Sequence, residues 1–262
     1  MTNAALHVAR TGLDAQNMRM QVIANNLANV NTTGFKRDRA SFETLAYQAM
    51  TAPGAASSDS TKFATGTNLG SGVQIKGTAK IETQGSIQTT GNSLDLAIQG
   101  SGFFQIQMPD GRTGYTRDGN FNLSSDGTIV TSDGFQLQPQ IQVPEGATSI
   151  TIAEDGTVSA TLAGQTAASE LGKIELARFI NPAGLQAEGN NLMTETAASG
   201  QAQVGAPGLD GRGSLSQGSL ESSNVNIVEE LVDMIETQRA YEVNSKMISS
   251  TDQMLQYANQ NL

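Results

Sequence analysis

The chain has 262 residues, no cysteine and a formal net charge of −10. Leu, Ile, Val and Phe total 55 residues, near the level below which chains stay disordered, so a thin core is allowed and one large Leu-rich enzyme core is not. Zero cysteine excludes disulfides and thiolate metal sites, and the charge, +2 over residues 1–47 and −12 beyond, repels phosphate backbones and argues against nucleic acid as a partner.

The first predicted element is a long helix. From Thr2 to Val30 there is no Pro, and Gly12 is the one glycine. Leu6, Leu13, Met20 and Leu27 recur every seven residues, with Ile23 and Val30 at the second seam position, where Ala9 and Gln16 are weak. Such a helix is roughly 45 Å long. Turn formers from Asn29 to Gly34 stop it. Residues 1–31 are therefore read as a helical element and 32–72 as a connecting segment. Within the latter, Ala52–Gly72 is rich in Ala, Ser, Thr and Gly, holds Pro53, and reads as flexible on its own.

Residues 73–217 read as an antiparallel β domain. Phe103, Gln105 and Gln107 alternate with Phe104, Ile106 and Met108. Asp-Gly pairs begin at Asp110, Asp118, Asp126, Asp133 and Asp155, the first four spaced by eight, eight and seven residues, the rhythm of short hairpins. Further strands are expected at Gln140–Val143, Ser149–Ala153 and Lys173–Phe179.

Residues 218–262 read as a linker end followed by a second helix. Ile227, Met234, Tyr241, Ile248, Leu255 and Leu262 share one seven-residue register, with Val228, Leu231 and Ile235 widening the stripe. Asn226 is the expected N-cap, with Glu229 three residues on. Two long, thinly apolar helices at opposite ends of a chain most simply pair with each other, giving an α+β protein with a terminal coiled coil. Charge is absent from Met20 to Phe35, and Asp252 alone carries it from Met247 onward, amides standing in its place. Uncharged polar faces suit burial against further copies of the same helix, since amides form hydrogen bonds without stranding a charge.

The search for chemistry finds no catalytic constellation. His7 is the only histidine, so neither a zinc cluster nor a His-dependent triad can be built. Gly100-Ser101-Gly102 lacks the third glycine of a dinucleotide loop and precedes a strand, and Gly172-Lys173 is followed by Ile174, not Ser or Thr. The Asp-Gly pairs lack the alternating ligands of a calcium loop. No catalytic residue, metal or cofactor is expected. No run reaches the ~18–20 apolar residues of a membrane span, so no membrane insertion is expected. The first residues lack the basic flank and apolar run of a cleaved secretory signal, which taken alone predicts a cytoplasmic address.

Three stretches resemble the bacterial flagellar rod and hook family. Ile23-Ala24-Asn25-Asn26-Leu27-Ala28-Asn29-Val30-Asn31-Thr32-Thr33-Gly34-Phe35-Lys36 is similar to its N-terminal signature. Ile98–Phe104 together with Tyr115-Thr116-Arg117-Asp118-Gly119-Asn120-Phe121 is similar to the opening of its β domain. Glu221–Asn226, Gln238–Glu242 and Asn244–Lys246 resemble its C-terminal helix entry. Within the family the likeness is greatest to the distal-rod branch. Arg37–Glu43 leads into Tyr47-Gln48 and an insert to Gly72 containing Pro53, Gly54 and Gly66, which resembles the segment separating distal rod from hook subunits.

The resemblance implies a structural subunit, exported by the flagellar type III apparatus without a cleaved signal. It implies a helical homopolymer around a channel, terminal helices innermost and the β domain outside. The implied place is the basal body, from periplasm to outer membrane. The implied neighbours are other copies, proximal rod proteins, hook protein and the P and L rings. A proximal rod or hook subunit is the alternative within the family. Outside it, the residues leave open a β-domain adhesin or a carbohydrate-active enzyme.

Overall fold

A computed structural model describes residues 2–54, 62–163 and 168–260. Residues 55–61 of the predicted insert, and Leu262 of the predicted helix register, lie outside the described residues. The protein is α+β, with two long helices and a large antiparallel β region. It divides into a helical unit, Met1–Leu27, Asp38–Ala79 and Asn226–Leu262, and a β unit, Ala28–Arg37 and Lys80–Val225.

In the helical unit, α1 runs Thr2–Ala28 and α2 runs Ile227–Gln260. α2 starts where its cap allows. The Asn226 side-chain oxygen accepts from the Val228 N–H at 3.1 Å, satisfying a donor that the first turn cannot pair. Glu229 and Glu230 then sit at the positive end of the helix dipole. The connecting segment is not structureless. Asp38–Thr44 pairs with Val73–Lys80, and Tyr47–Thr51 pairs antiparallel with Thr67–Gly70, Tyr47 opposite Gly70 and Gln48 opposite Leu69. Backbone pairing thus orders the two ends of a stretch whose composition alone reads as flexible.

The β unit holds the apolar core. Its main sheet runs, in spatial order, Gln186–Gly189, Leu192–Thr194, Thr113–Thr116, Phe103–Gln107, Gln136–Gln138, Ile129–Thr131 and Phe121–Leu123. Leu176–Arg178 pairs with Phe103–Gln107 and with Gln203–Gly205. One cluster packs Leu96, Ile98, Phe104, Ile106, Phe121, Ile129, Leu137, Val158, Ile174 and Leu176, and Phe104 meets Phe121 edge-on at 5.1 Å. The other side of the central strand is covered too. Phe103 and Tyr115 both meet Phe179 edge-on, so the 103–108 alternation separates two buried faces.

Of the Asp-Gly pairs beginning at Asp110, Asp118, Asp126, Asp133 and Asp155, four sit in hairpin turns between antiparallel partners. Asp118-Gly119 does not. It joins Thr113–Thr116 to a strand that pairs elsewhere, and a Cβ on Gly119 would collide with the Leu96 carbonyl. Glycine is needed there for close approach of two backbones. The strand expected at Gln140–Val143 is reduced to one bridge, Thr128 to Gln142. Pro139 and Pro144 flank that stretch and supply no N–H, so it is held by the Val143 N–H donating to the Gly127 carbonyl and by burial of Ile141 and Val143. The expected strand Lys173–Phe179 is two, Ser169–Lys173 in a three-stranded sheet and Leu176–Arg178 in the main one. Ser149–Ala153 falls on the observed strand Ala147–Ile152.

Candidate self-assembly surface

The two helices touch through polar groups. The Asn26 amide is 1 % exposed and pairs with the Asp38 backbone as a peptide would, donating to its carbonyl and accepting from its N–H, both at 2.9 Å. Its Nδ2 also lies 3.3 Å from each oxygen of Glu230, itself buried on α2. Further along, Arg19 donates to Asp233 at 3.3 Å. A Cβ on Gly12 would stand 3.1 Å from Asn244 Nδ2. Positions rise along α1 as they fall along α2, so the helices run antiparallel.

Coverage follows this line. On α2 the buried and half-buried positions whose exposure is described are Glu230, Asp233, Met234, Thr237, Ala240, Tyr241, Asn244, Ile248 and Thr251, which fall along one side of the helix. On α1, Ala9, Ala15, Ile23 and Asn26 are buried. Of the seam residues expected from sequence, Ile23 is buried, while Leu6, Leu13, Met20, Leu27, Val30, Met234, Tyr241 and Ile248 are half-buried. Ile227 and Leu231 are exposed, and Leu255 lies within α2. Sequence reasoning missed the polar half of the seam. Its signal was there, since Glu230, Thr237, Asn244 and Thr251 also recur every seven residues. Burial of Thr237 costs little because its hydroxyl donates to the Asp233 carbonyl one turn back.

The opposite side of α2 mixes exposed apolar residues with the charged side chains of Glu229, Glu236, Arg239 and Lys246. Val228, Val232, Ile235, Val243, Met247, Met254 and Tyr257 are all at least half exposed, Val228 to 70 %. At 100° per residue they fall on the side remote from Glu230, Thr237 and Ile248. In and beside the paired segment Tyr47, Met50, Phe63 and Leu69 are exposed, Tyr47 and Leu69 on opposite faces of the ladder. Gln48, Pro53 and Gly54 are exposed there, and Gly54 takes a left-handed φ of 82°. At Gly66 a Cβ would clash with the Thr51 carbonyl and Pro53.

The β unit contains a buried ion cluster. The Glu221 carboxylate accepts from Lys36 Nζ and Arg117 Nε, each at 2.6 Å. Burial alone would raise the Glu221 carboxyl. The Arg117 charge, the Lys36 hydrogen bond and the Gly85 N–H outweigh burial and hold it below the usual carboxylate range. Burial pushes Lys36 down and the neighbouring Glu82 up. Beside the cluster a cavity of about 230 Å³ is lined by Glu82, Gly100–Phe103, Arg117 and Arg178–Ile180. Among the described residues, no group of three or more His, Asp or Glu could hold a metal ion, and no helix is long and apolar enough to cross a membrane.

Three family models match the chain in order. They are the flagella basal body rod protein model over residues 6–36, the flagellar hook protein FlgE/F/G D1 domain over 97–160, and the C-terminal model of the flagellar basal body rod FlgEFG proteins over 216–261. The chain is 52 % identical to the flagellar basal-body rod protein FlgG of Buchnera aphidicola (Acyrthosiphon pisum strain) over 98 % of both chains. Caulobacter vibrioides supplies an internal comparison. Its FlgG is 48 % identical over 98 % of both chains, and its FlgF is 34 % identical over 95 % of this chain and 94 % of its own. Within one organism the identity is thus 14 percentage points higher to FlgG than to FlgF. Near-full-length identity, three family models in order and an α+β body ending in two long helices together place the chain in the flagellar basal-body rod family, on its distal-rod branch, as a structural subunit of the basal body.

Proposed function

We propose that the chain polymerises into the flagellar distal rod, a rigid helical tube that carries torque across the periplasm to the hook. In this reading α1 and α2 form an antiparallel coiled coil, innermost in the tube, and the β unit lies outside. The observation that carries it is that α2 keeps large apolar residues on both its covered and its exposed side. One stripe is covered within the chain, and the stripe from Val228 to Tyr257 is left exposed. Large exposed apolar side chains recurring over this length offer an interaction surface, and head-to-tail contacts whose rotation does not close build an open helical filament.

The polar seam supports the same reading, since a seam half made of Asn, Thr and Glu adds little stability without further packing. The partners in this reading are other copies, proximal rod proteins, hook protein, the P and L rings, and the type III export apparatus that delivers the chain. The test is electron microscopy of concentrated purified protein, alone and with Val232→Asp. Straight tubes from the parent and none from the variant are expected. A parent that stays monomeric at every concentration would overturn the reading.

A further inference from the structure

Glu221 is 2 % exposed and gathers groups from distant parts of the β unit. Its carboxylate accepts from Lys36 Nζ, Arg117 Nε and the Gly85 N–H, the last at 2.9 Å. Its backbone carbonyl accepts from the Gly34 N–H at 2.8 Å. Lys36 also donates to the Thr83 carbonyl at 2.8 Å. The remaining Arg117 donors go to the carbonyls of Ile98, Gly100 and Gly102. Three residues on, Asn224 accepts from the Arg37 N–H at 2.7 Å and donates to the Ile81 carbonyl at 2.7 Å.

These residues have one thing in common. The chain enters or leaves the β unit at residues 28, 37, 80 and 225. Each of the three stretches 33–37, 80–85 and 221–225 is bonded to another of them through Glu221 or Asn224. We propose that Glu221, with Lys36, Arg117 and Asn224, is a closure lock that holds the chain ends of the β unit in register. The β unit is then completed only when residues 28–37 and 218–225 have both arrived.

The physics sets the sign. A buried charge left without its partner is strongly destabilising, whereas removing both partners costs far less. Glu221→Gln leaves Lys36 and Arg117 facing Glu82 alone. Adding Lys36→Met removes one stranded cation and should recover part of the loss, so the two changes are coupled. A cluster that merely fills space would show additive losses.

Amide hydrogen exchange on the full chain tests this. In Glu221→Gln, exchange at Gly34, Ile81 and Gly85 should speed by roughly a hundredfold. Exchange at Ala153 and Ile174, whose N–H groups bond to Thr157 and Gly156, should stay unchanged. The double variant Lys36→Met/Glu221→Gln should be slower at the three lock amides than Glu221→Gln alone. Unchanged lock amides in Glu221→Gln, or a double variant equal to the sum of the singles, would overturn the proposal. If Glu221→Gln does not accumulate folded, recovery of folded protein in the double variant supports the lock. Failure of the double variant where Lys36→Met alone folds counts against it.

Discussion

The two units differ in how much of their large apolar side chains they enclose. The β unit encloses Leu96, Ile98, Phe104, Ile106, Phe121 and Ile174 almost completely. The helical unit encloses Asn26, Glu230 and Thr237 and leaves Val228, Ile235, Met254 and Tyr257 outside. Burying apolar area is the main source of folding free energy, at about 25 cal/mol per Å². The β unit therefore holds its stability within itself. The helical unit has set much of its apolar surface aside, and that surface becomes useful when a second chain covers it. On the proposed function, one sequence thus divides into a part that folds for itself and a part that completes its packing in the assembly.

The comparison breaks first at Phe104. It is fully buried at the centre of the main sheet against Phe121. Phe104→Ala should cost about 3–5 kcal/mol, a large share of the ~5–15 kcal/mol that holds a domain together. Chemical denaturation followed by near-ultraviolet circular dichroism reads the loss. A loss under 1 kcal/mol would mean that the β core is not where the stability lies.

Changes on the helices should do the reverse. Leu27→Asp and Ile248→Asp place a charge at half-buried positions of the helix pair, where desolvation without a partner is costly. Both should abolish tubes and motility while the β unit keeps its melting temperature. Ile235→Asp sharpens the contrast further. The side chain is 51 % exposed, so monomer stability should change by no more than about 0.5 kcal/mol, yet assembly should fail. Normal tubes from Ile235→Asp would remove the outer stripe from the interface.

How far the sequence reveals each unit follows from the same difference. Both helices, their ends and the hairpins at Asp110, Asp126, Asp133 and Asp155 are legible, because local propensity and local turns decide them. The seam is legible only in part. A hydrophobic register finds Ile23 and Ile248, but it also selects Ile227 and Leu231, which are exposed, and passes over Asn26 and Glu230. α2 carries large apolar residues on two sides, and a one-dimensional pattern cannot say which side a neighbour already covers. The hairpin of Tyr47–Thr51 with Thr67–Gly70 is hidden for another reason, since its composition reads as linker and long-range backbone pairing overrides that. Lys36 and Glu221 stand 185 positions apart, and nothing local to either announces the other.

A smaller effect separates the units by pH. Glu221 lies below the usual carboxylate range, so its contribution is present above that range and lost as pH falls through its lowered value. Glu82 is raised by burial, so acidifying towards the ordinary carboxylate value relieves a cost and stabilises the fold. Asp118, raised by burial beside Thr33 and Asn120, acts in the same direction. Stability of the β unit should therefore pass through a maximum in mildly acidic solution and fall below it. Melting temperature against pH measures this, and Glu82→Gln should flatten the rise on the acid side. A rise of unchanged size in Glu82→Gln would assign the effect to other carboxyls.

The smallest expected effect concerns stiffness and falls on Tyr47–Gly72. The segment belongs to the helical unit and shares its character, with Tyr47, Met50, Phe63 and Leu69 exposed on and beside a two-stranded ladder. A hairpin held by few bonds is marginal alone, so its exposed apolar side chains gain most when a neighbour covers them. A segment that bridges copies would oppose the sliding by which a tube bends. Deleting Ala49–Gly66 should leave the β unit folded, because none of its residues lies there. It should also leave α1 and α2 in contact, because Asn26, Arg19 and Gly12 keep their partners. Tubes should still form, but with greater curvature and a shorter persistence length. Electron micrographs of parent and deletion tubes at equal ionic strength measure that length directly. Equal stiffness would reduce the hairpin to a surface ornament and leave the helix pair as the whole source of rigidity.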